Sequence, residues 1–433
     1  MQACKVFIKS FGCSTNVADG EVLAGCLAKA GYDLTETNEL ADVIIYNTCA
    51  VKQPTEDRII ELLKNSPSHK KLIVSGCLPL INFNRLQREV SFNGVTGPAV
   101  GSKIVDVLKL VLRGKKVIML EKSHYKPNLN LPRIRENPIV SIIPINYGCL
   151  GTCSYCCVTF SRGHLRSYTI KEIKEKIIKD LEFGVQEFWL TSQDTACYGM
   201  DINTSLPKLL RTLCNINGNF RLRVGMMNPN MVKRILEKLV TIYENEKIYK
   251  FLHLPVQSGD DAVLNRMRRQ YSIDDFKAIV GTFKEAIPQL TLATDIICGF
   301  PGENLIAFKR SLQLIEEIQP DIVNISKFFP RPKTAAADMQ KDFIPLQEVK
   351  RRSRLTAERA RKVSYKRNQQ WISWTGKILI NEIGKVTGSY IGRNFAYKPV
   401  VLKDSSQNNL LGKTFHVRIV KAFETHLEGE IIH

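Results

Sequence analysis

Ser141-Ile142-Ile143-Pro144-Ile145-Asn146-Tyr147-Gly148-Cys149-Leu150-Gly151-Thr152-Cys153-Ser154-Tyr155-Cys156 decides the fold. The apolar run from Ser141 to Tyr147 has the composition of a buried strand. It runs straight into three cysteines spaced C-x3-C-x2-C. A [4Fe–4S] cluster normally takes four Cys. Three thiolates on one short loop therefore leave one iron open to a small chelating ligand. The competing readings are a zinc knuckle and buried small hydrophobes. No fourth Cys or His follows at finger spacing. Cys157, next to Cys156, would point the other way and reads as structural.

Downstream of this loop, strands and helices alternate. The pattern predicts strands at Ser141–Tyr147, Glu187–Thr191, Arg221–Met226, Phe251–Pro255, Thr291–Ile297 and Ile322–Phe328. Helices are expected at Ile170–Phe183, Leu206–Cys214, Met231–Tyr243, Asp274–Ala286 and Leu305–Ile318. Six such units make a partial (β/α)6 TIM-like barrel, whose ligand site lies at the C-terminal strand ends. Gln193 and Asp194 follow the second strand, Asn228 the third, and Gln257 and Ser258 the fourth; Asp295 lies within the fifth. All six are candidate ligand contacts, against a reading as ordinary loop polarity. His253 and Cys298 read as packed, and Gly299 and Gly302 as turn formers.

Upstream, alternation predicts a separate doubly wound α/β domain. Its strands are Ala3–Ser10, Asp42–Thr48 and Lys71–Ser75; its helices are Val17–Ala30, Pro54–Leu63 and Val105–Leu112. Cys13, Cys49 and Cys77 each follow a strand end. Ligands in such sheets bind at the carboxyl ends of the strands. Three thiolates from three strand ends could meet at a second cluster site, or be three buried cysteines of the kind Cys4 and Cys26 are taken to be.

A connector follows, with one short strand at Val117–Leu120 and then Pro127, Asn128, Asn130 and Pro132. Pro345 to Gln370 is a strongly basic helix, read either as a solvated face or as a phosphate contact. Residues 371–433 read as a small all-β module with expected strands Lys377–Ile383, Lys398–Leu402 and Thr414–Val420. Its Arg393, Phe395, Tyr397 and Lys398 suit stacking on single-stranded RNA, although half-exposed aromatics are ordinary on small barrels. The expected division is 1–120, a linker at 121–137, a core at 138–345, a basic helix at 346–370 and a terminal module at 371–433.

The chain has 433 residues and a formal charge of +20, which favours a polyanionic partner. Its 12 cysteines are too sparse for a secreted disulfide scaffold and point to metal binding in a reducing compartment. No apolar run is long enough to span a membrane, and Met1-Gln2-Ala3-Cys4-Lys5 has no signal-peptide layout, so a cytoplasmic protein is expected. There is no P-loop, catalytic triad or H-E-x-x-H.

The cysteine loop with its aromatic before the third Cys resembles the radical S-adenosylmethionine (SAM) enzymes. The whole chain resembles their methylthiotransferase family. The resemblance is carried by Gly12-Cys13-Ser14-Thr15-Asn16, Asn47-Thr48-Cys49-Ala50-Val51, Gly76-Cys77, Gly148 to Cys156, His253 to Gly259 and Asp295 to Glu303. Gly163-His164-Leu165-Arg166-Ser167-Tyr168 and Thr191-Ser192-Gln193-Asp194-Thr195 look like its archaeal and eukaryotic branch. That branch acts on N6-threonylcarbamoyladenosine beside the tRNA anticodon. Relatives act on isopentenyladenosine in tRNA or on a ribosomal-protein aspartate. The terminal module looks like a TRAM RNA-binding domain.

The resemblance implies two [4Fe–4S] clusters, one on Cys149, Cys153 and Cys156 and one on Cys13, Cys49 and Cys77. It further implies SAM on the open iron of the first, near Gln193, Asp194, Asn228, Gln257, Ser258 and Asp295. A 5′-deoxyadenosyl radical would abstract hydrogen from carbon 2 of the adenine. The second cluster would hold the sulfur that another SAM methylates. No general acid or base is assigned. The implied partners are the tRNA anticodon stem-loop, an electron donor, a sulfur donor and no membrane. Another radical SAM reaction, with the first domain used only for electron transfer, is one alternative; a non-enzymatic iron–sulfur RNA-binding protein is another. One departure is Arg331-Pro332-Lys333-Thr334-Ala335, where the family has Gly and Pro in place of Lys333 and Ala335.

Overall fold

The computed structural model describes residues 4–120, 126–403 and 409–432. Its first unit is a six-stranded parallel sheet in the order Asp33–Thr35, Lys5–Ser10, Val43–Thr48, Lys71–Gly76, Gly94–Thr96, Val117–Met119. The run Val43-Ile44-Ile45-Tyr46 is buried throughout because helices cover both faces. Val43 and Ile45 enter one apolar core with Leu23, Leu27 and Leu108; Ile44 and Tyr46 enter the opposite one with Ile59, Ile60 and Leu63. This alternation is the period of two of a strand. Val117–Met119, expected in the connector, instead forms the sixth strand, paired parallel with Gly94–Thr96. The order reverses between Lys5–Ser10 and Val43–Thr48. Such a switch point opens a crevice at the carboxyl ends of the strands.

The second unit is an open parallel barrel of two three-stranded sheets. One holds Val140–Pro144, Glu187–Thr191 and Arg221–Val224; the other holds Phe251–His253, Thr291–Cys298 and Ile322–Lys327. A parallel bridge from Leu222 to Ile248 joins them. Six strands were expected, and six stand in chain order. The expected helix Met231–Tyr243 is two, Pro229–Lys233 and Leu236–Tyr243. A short helix at Asp261–Arg266 was not foreseen.

Open barrels leave edge strands that must be covered. Helix Ser14–Lys29 of the first unit lies against Val140–Pro144. The basic helix, Leu346–Gln369, lies along Ile322–Lys327. It buries Val349, Arg352, Ala360 and Val363. Several of its arginines are paired with nearby acids: Arg351 and Arg352 with Glu348, Arg359 with Glu316, and Arg367 with Asp321. The helix is thus largely a strut.

The terminal module is a closed five-stranded barrel built from Thr375–Ile383, Ser389–Arg393, Pro399–Lys403, Thr414–Ala422 and Leu427–Ile431. Its core is Trp371, Ile378, Ile380, Val400, Leu402, Val417 and Ile419. Two residues expected at an RNA surface dock it to the core instead. The Tyr397 ring packs 4.8 Å from Tyr249 and 5.3 Å from Phe251. Lys398 is 4% exposed, its ammonium bound to Asp321 and Asn368. Among the described residues, no helix is long and apolar enough to cross a membrane.

Candidate active site

At the switch point of the first sheet, Gly12 turns the chain at φ +108°, and a Cβ there would lie 2.9 Å from the Cys49 sulfur. Only glycine meets both demands. Cys13 precedes the helix Ser14–Lys29, Cys49 follows Val43–Thr48, and Cys77 precedes the short helix Leu78–Ile81. Asn16 pins these loops together. Its amide donates to the carbonyls of Phe11 and Thr48, and its Oδ1 lies 3.9 Å from Cys77 Sγ. Burial, then repulsion from Cys77, pushes the Cys49 thiol up to about 12. Burial also pushes Cys77 up.

The core loop is held from several sides. Gly148 N–H donates to Gln193 Oε1 (2.8 Å), and Cys149 N–H to the Gly163 carbonyl (3.2 Å). Gly148 stands at φ +78°, and a Cβ there would meet the His164 carbonyl. Ser154 donates through N–H to Met267 O and through Oγ to Arg266 O. Gly151 N–H points at Cys149 Sγ (3.2 Å), and Arg269 Nη1 at Cys153 Sγ (3.5 Å). Burial pushes Cys149 up to about 11 and raises Cys156 further.

The donor chemistry fits iron–sulfur clusters. Buried thiols that repel one another as thiolates need a cation, and metal binding takes their protons away. An N–H and a guanidinium aimed at the sulfurs supply the hydrogen bonds a cluster accepts. Among the described residues, no three His, Cys, Asp or Glu side chains gather on one point as a lone zinc ion requires.

A cavity of about 420 Å³ opens beside Cys156, between the core loop and the segment that follows Cys49. Val51, Lys52 and Pro54 line it from the first unit, and Tyr155, Cys156 and Cys157 from the core loop. Gln257, Asp295, Ile297, Arg331 and the stretch Asn324 to Phe329 complete it. Cys157 joins the two sides: it packs in the same apolar cluster as Cys77, with its Sγ 3.9 Å from the Ala50 carbonyl.

Of the six polar candidates, the structure brings Gln257 and Asp295 to this cavity. Burial raises the Asp295 carboxyl, but hydrogen bonds from His253 Nε2 and Asn324 Nδ2, both 2.8 Å, leave it lowered overall. The other four brace loops. Gln193 holds Gly148; Asn228 Oδ1 caps its own short helix; Ser258 Oγ accepts from Asp260 N–H. Asp194 accepts from the N–H groups of Ala196 and Asn228, and burial pushes it up to about 6. Lys52, Arg269 and Lys327 escaped sequence reasoning. For Arg269 a signal existed in Arg268-Arg269, a cation pair between Met267 and Tyr271.

Comparison with known proteins places this arrangement. Residues 5–97, which hold the first cysteine triplet, match the model of the uncharacterized protein family UPF0004. Residues 143–315, which hold the second, match the radical SAM superfamily. The probable threonylcarbamoyladenosine tRNA methylthiotransferase of Pyrococcus horikoshii is 41% identical over 99% of both chains. That of Methanothermobacter thermautotrophicus is 38% identical over 99% of both. The chain belongs to the threonylcarbamoyladenosine tRNA methylthiotransferase family. The Homo sapiens member is 36% identical over 98% of this chain and 74% of its own. Among solved structures, the radical SAM methyltransferase TsrM from Kitasatospora setae, with tryptophan and a SAM analogue bound, superposes with TM-score 0.55 at 13% identity, over 77% of this chain and 75% of that one. The cobalamin-dependent radical SAM enzyme OxsB gives 0.52 at 11% identity, over 82% and 56%. These two share the fold, and family membership makes this chain a radical SAM protein.

Proposed function

We propose that this member of the family inserts a methylthio group at carbon 2 of N6-threonylcarbamoyladenosine at tRNA position 37, using SAM and iron–sulfur chemistry. The observation that carries the reading is the cavity that the core loop and the first unit line together. Cys156 stands on one wall, and Val51 and Lys52, just past Cys49, stand on another. A substrate carbon held there would lie beside the loop of Cys156 and the loop that follows Cys49, whose cysteines would hold the two clusters.

In this reading the chain carries two [4Fe–4S] clusters, one on Cys149, Cys153 and Cys156 and one on Cys13, Cys49 and Cys77. Bound SAM and the clusters supply the one-electron chemistry that an unactivated C–H bond needs. The residues do the rest. Arg269 sets its charge beside Cys153, and Gln193 fixes the turn into Cys149. Gln257 and Asp295 present polar atoms to SAM. Ile297, Ile325 and Phe328 offer an apolar wall to the adenine, and Lys52 and Lys327 face the threonyl carboxylate. The units 1–120, 138–345 and 371–433 serve as sulfur-bearing domain, radical SAM core and TRAM-like RNA-binding module. A reductant and a sulfur donor complete the reaction.

Mass spectrometry of tRNA nucleosides, from cells with and without this protein, tests the reading. Loss of 2-methylthio-N6-threonylcarbamoyladenosine with accumulation of its precursor is expected. An unchanged profile would sink it.

A further inference from the structure

One charged side chain of the site has a role that neither cluster ligation nor substrate contact absorbs. Arg162 is 4% exposed and sits on the short helix Val158–Arg162, which follows the core cysteines. It reaches across to the other triplet. Its Nη2 lies 2.8 Å from Asp19 Oδ2 and also donates to Asn16 Oδ1, both on the helix that begins after Cys13. The guanidinium lies over the Tyr147 ring at 5.6 Å, and Tyr147 donates to Asp19 Oδ1 at 2.7 Å. The same group stands against Cys77 and within Coulomb reach of Cys13. Its Nη1 is buried with no hydrogen-bond partner.

A buried guanidinium N–H left without an acceptor is costly. Asp19 neutralises one side of the group only. The guanidinium as a whole lies against the Cys77 thiol and within Coulomb reach of Cys13. Three thiolates on a cluster make that neighbourhood strongly anionic, and its sulfurs accept hydrogen bonds.

We propose that Arg162 is a positioning residue for the cluster held by Cys13, Cys49 and Cys77: its free Nη1 donates to a sulfur of that cluster, and its charge raises the cluster's reduction potential. The inference rests on that triplet binding a cluster. A cation beside an iron–sulfur centre stabilises the extra electron of the reduced form, as hydrogen bonds to its sulfurs do. Asp19 is the counterweight that limits the effect. Since Arg162 also follows Cys156 and Cys157 in the chain, it ties the geometry of one cluster loop to the electrostatics of the other.

The test uses the full chain carrying Cys149→Ala, Cys153→Ala and Cys156→Ala, so that only the remaining cluster is read. Its midpoint potential is followed by electron paramagnetic resonance during a redox titration. Arg162→Gln should lower the potential by about 59 mV or more, a tenfold change in the oxidised-to-reduced ratio for one electron. Arg162→Lys should stay near the parent. Asp19→Asn should move it the opposite way, upward. A purely structural role would instead lose iron in both variants, with no opposed shifts. Opposed shifts support the proposal; an unchanged potential with the cluster present overturns it. If Arg162→Gln fails to hold iron, Asp19→Asn decides alone, since a flat or lowered potential overturns the proposal. Absence of any cluster in the triple-alanine parent would overturn the assignment of the triplet, and the proposal with it.

Discussion

Lys398 Nζ donates to Asp321 Oδ1 at 2.7 Å inside the contact between the terminal barrel and the core, where Lys398 is 4% and Asp321 3% exposed. Arg367 Nε approaches the same oxygen at 3.2 Å, and Asn368 Oδ1 takes another proton of the ammonium. Barrel, basic helix and last core strand are thus tied at one carboxylate. Removing one partner of a buried pair costs about 3–5 kcal/mol where the other charge is left uncompensated; here Arg367 stays on Asp321, so the cost should fall below that range. Lys398→Met should lower the melting temperature and release the barrel, seen as early proteolytic cleavage near Trp371 to Trp374. A variant as protease-resistant as the parent would show that the remaining docking contacts suffice, among them the Tyr397 ring and the hydrogen bond from Asn381 Nδ2 to Glu187 Oε2.

Glu21 makes stability pH-dependent. Burial pushes its carboxyl from 4.5 up to about 7, against the lowering influence of Arg133. Its Oε2 has no hydrogen-bond partner among the described residues. Between those pH values the folded chain holds a proton that the unfolded chain has released, so stability falls as pH rises. At about 1.36 kcal/mol per unit the loss is about 3 kcal/mol. Glu21→Gln should flatten the melting temperature against pH across that window. A slope equal to the parent's would place the dependence elsewhere.

Lys333 stands where the sequence resemblance leads to an expectation of glycine, and its φ is +66°. The backbone has kept the glycine conformation with a side chain on it. Left-handed backbone costs an ordinary residue about 1–2 kcal/mol, and glycine gives back about 0.4–1 kcal/mol through the unfolded state. Lys333→Gly should therefore stabilise by about 0.5–1 kcal/mol in denaturant titration, while Lys333→Ala, which keeps the strain, should gain nothing. Equal effects of the two would assign the cost to the lysine side chain.

These residues also mark where sequence reading reaches its limit. The strands were legible because Val43 to Tyr46 and Thr291 to Ala293 are buried on both faces, which leaves continuous apolar runs. The cysteines were legible because Cys149, Cys153 and Cys156 share one short loop and Cys13, Cys49 and Cys77 each follow a strand end. Arg162 was not, because its partner Asn16 lies 146 residues away and no local pattern records the pairing. Tyr397 stayed ambiguous in the sequence because an aromatic that docks a small barrel and one that stacks on RNA have the same sequence context. Gln193 and Asp194 stand at the strand-end level expected of ligand contacts, and there they also accept hydrogen bonds from loop backbone, a role no local pattern announces.

Lys52 and Lys327 carry the last prediction. Both line the cavity, one just past Cys49 and one at the end of strand Ile322–Lys327. Lys327 leans toward the Phe329 ring at 6.0 Å, and Lys52 is within Coulomb reach of Asp295. Two cations in a cavity with an apolar wall suit a base that bears a carboxylate. A hydrogen bond to a charged group contributes about 1.5–3 kcal/mol, which corresponds to about a tenfold to hundredfold effect. Replacing both lysines with Ala should lower kcat/KM for tRNA carrying N6-threonylcarbamoyladenosine by that factor or more. The penalty should shrink for a tRNA whose threonyl carboxylate is esterified, because that substrate has no charge to lose. An equal penalty on acid and ester would assign the lysines to SAM or to tRNA phosphate, and would leave recognition of the threonyl group to Asn324 and Ser326, the neutral polar residues of the same wall.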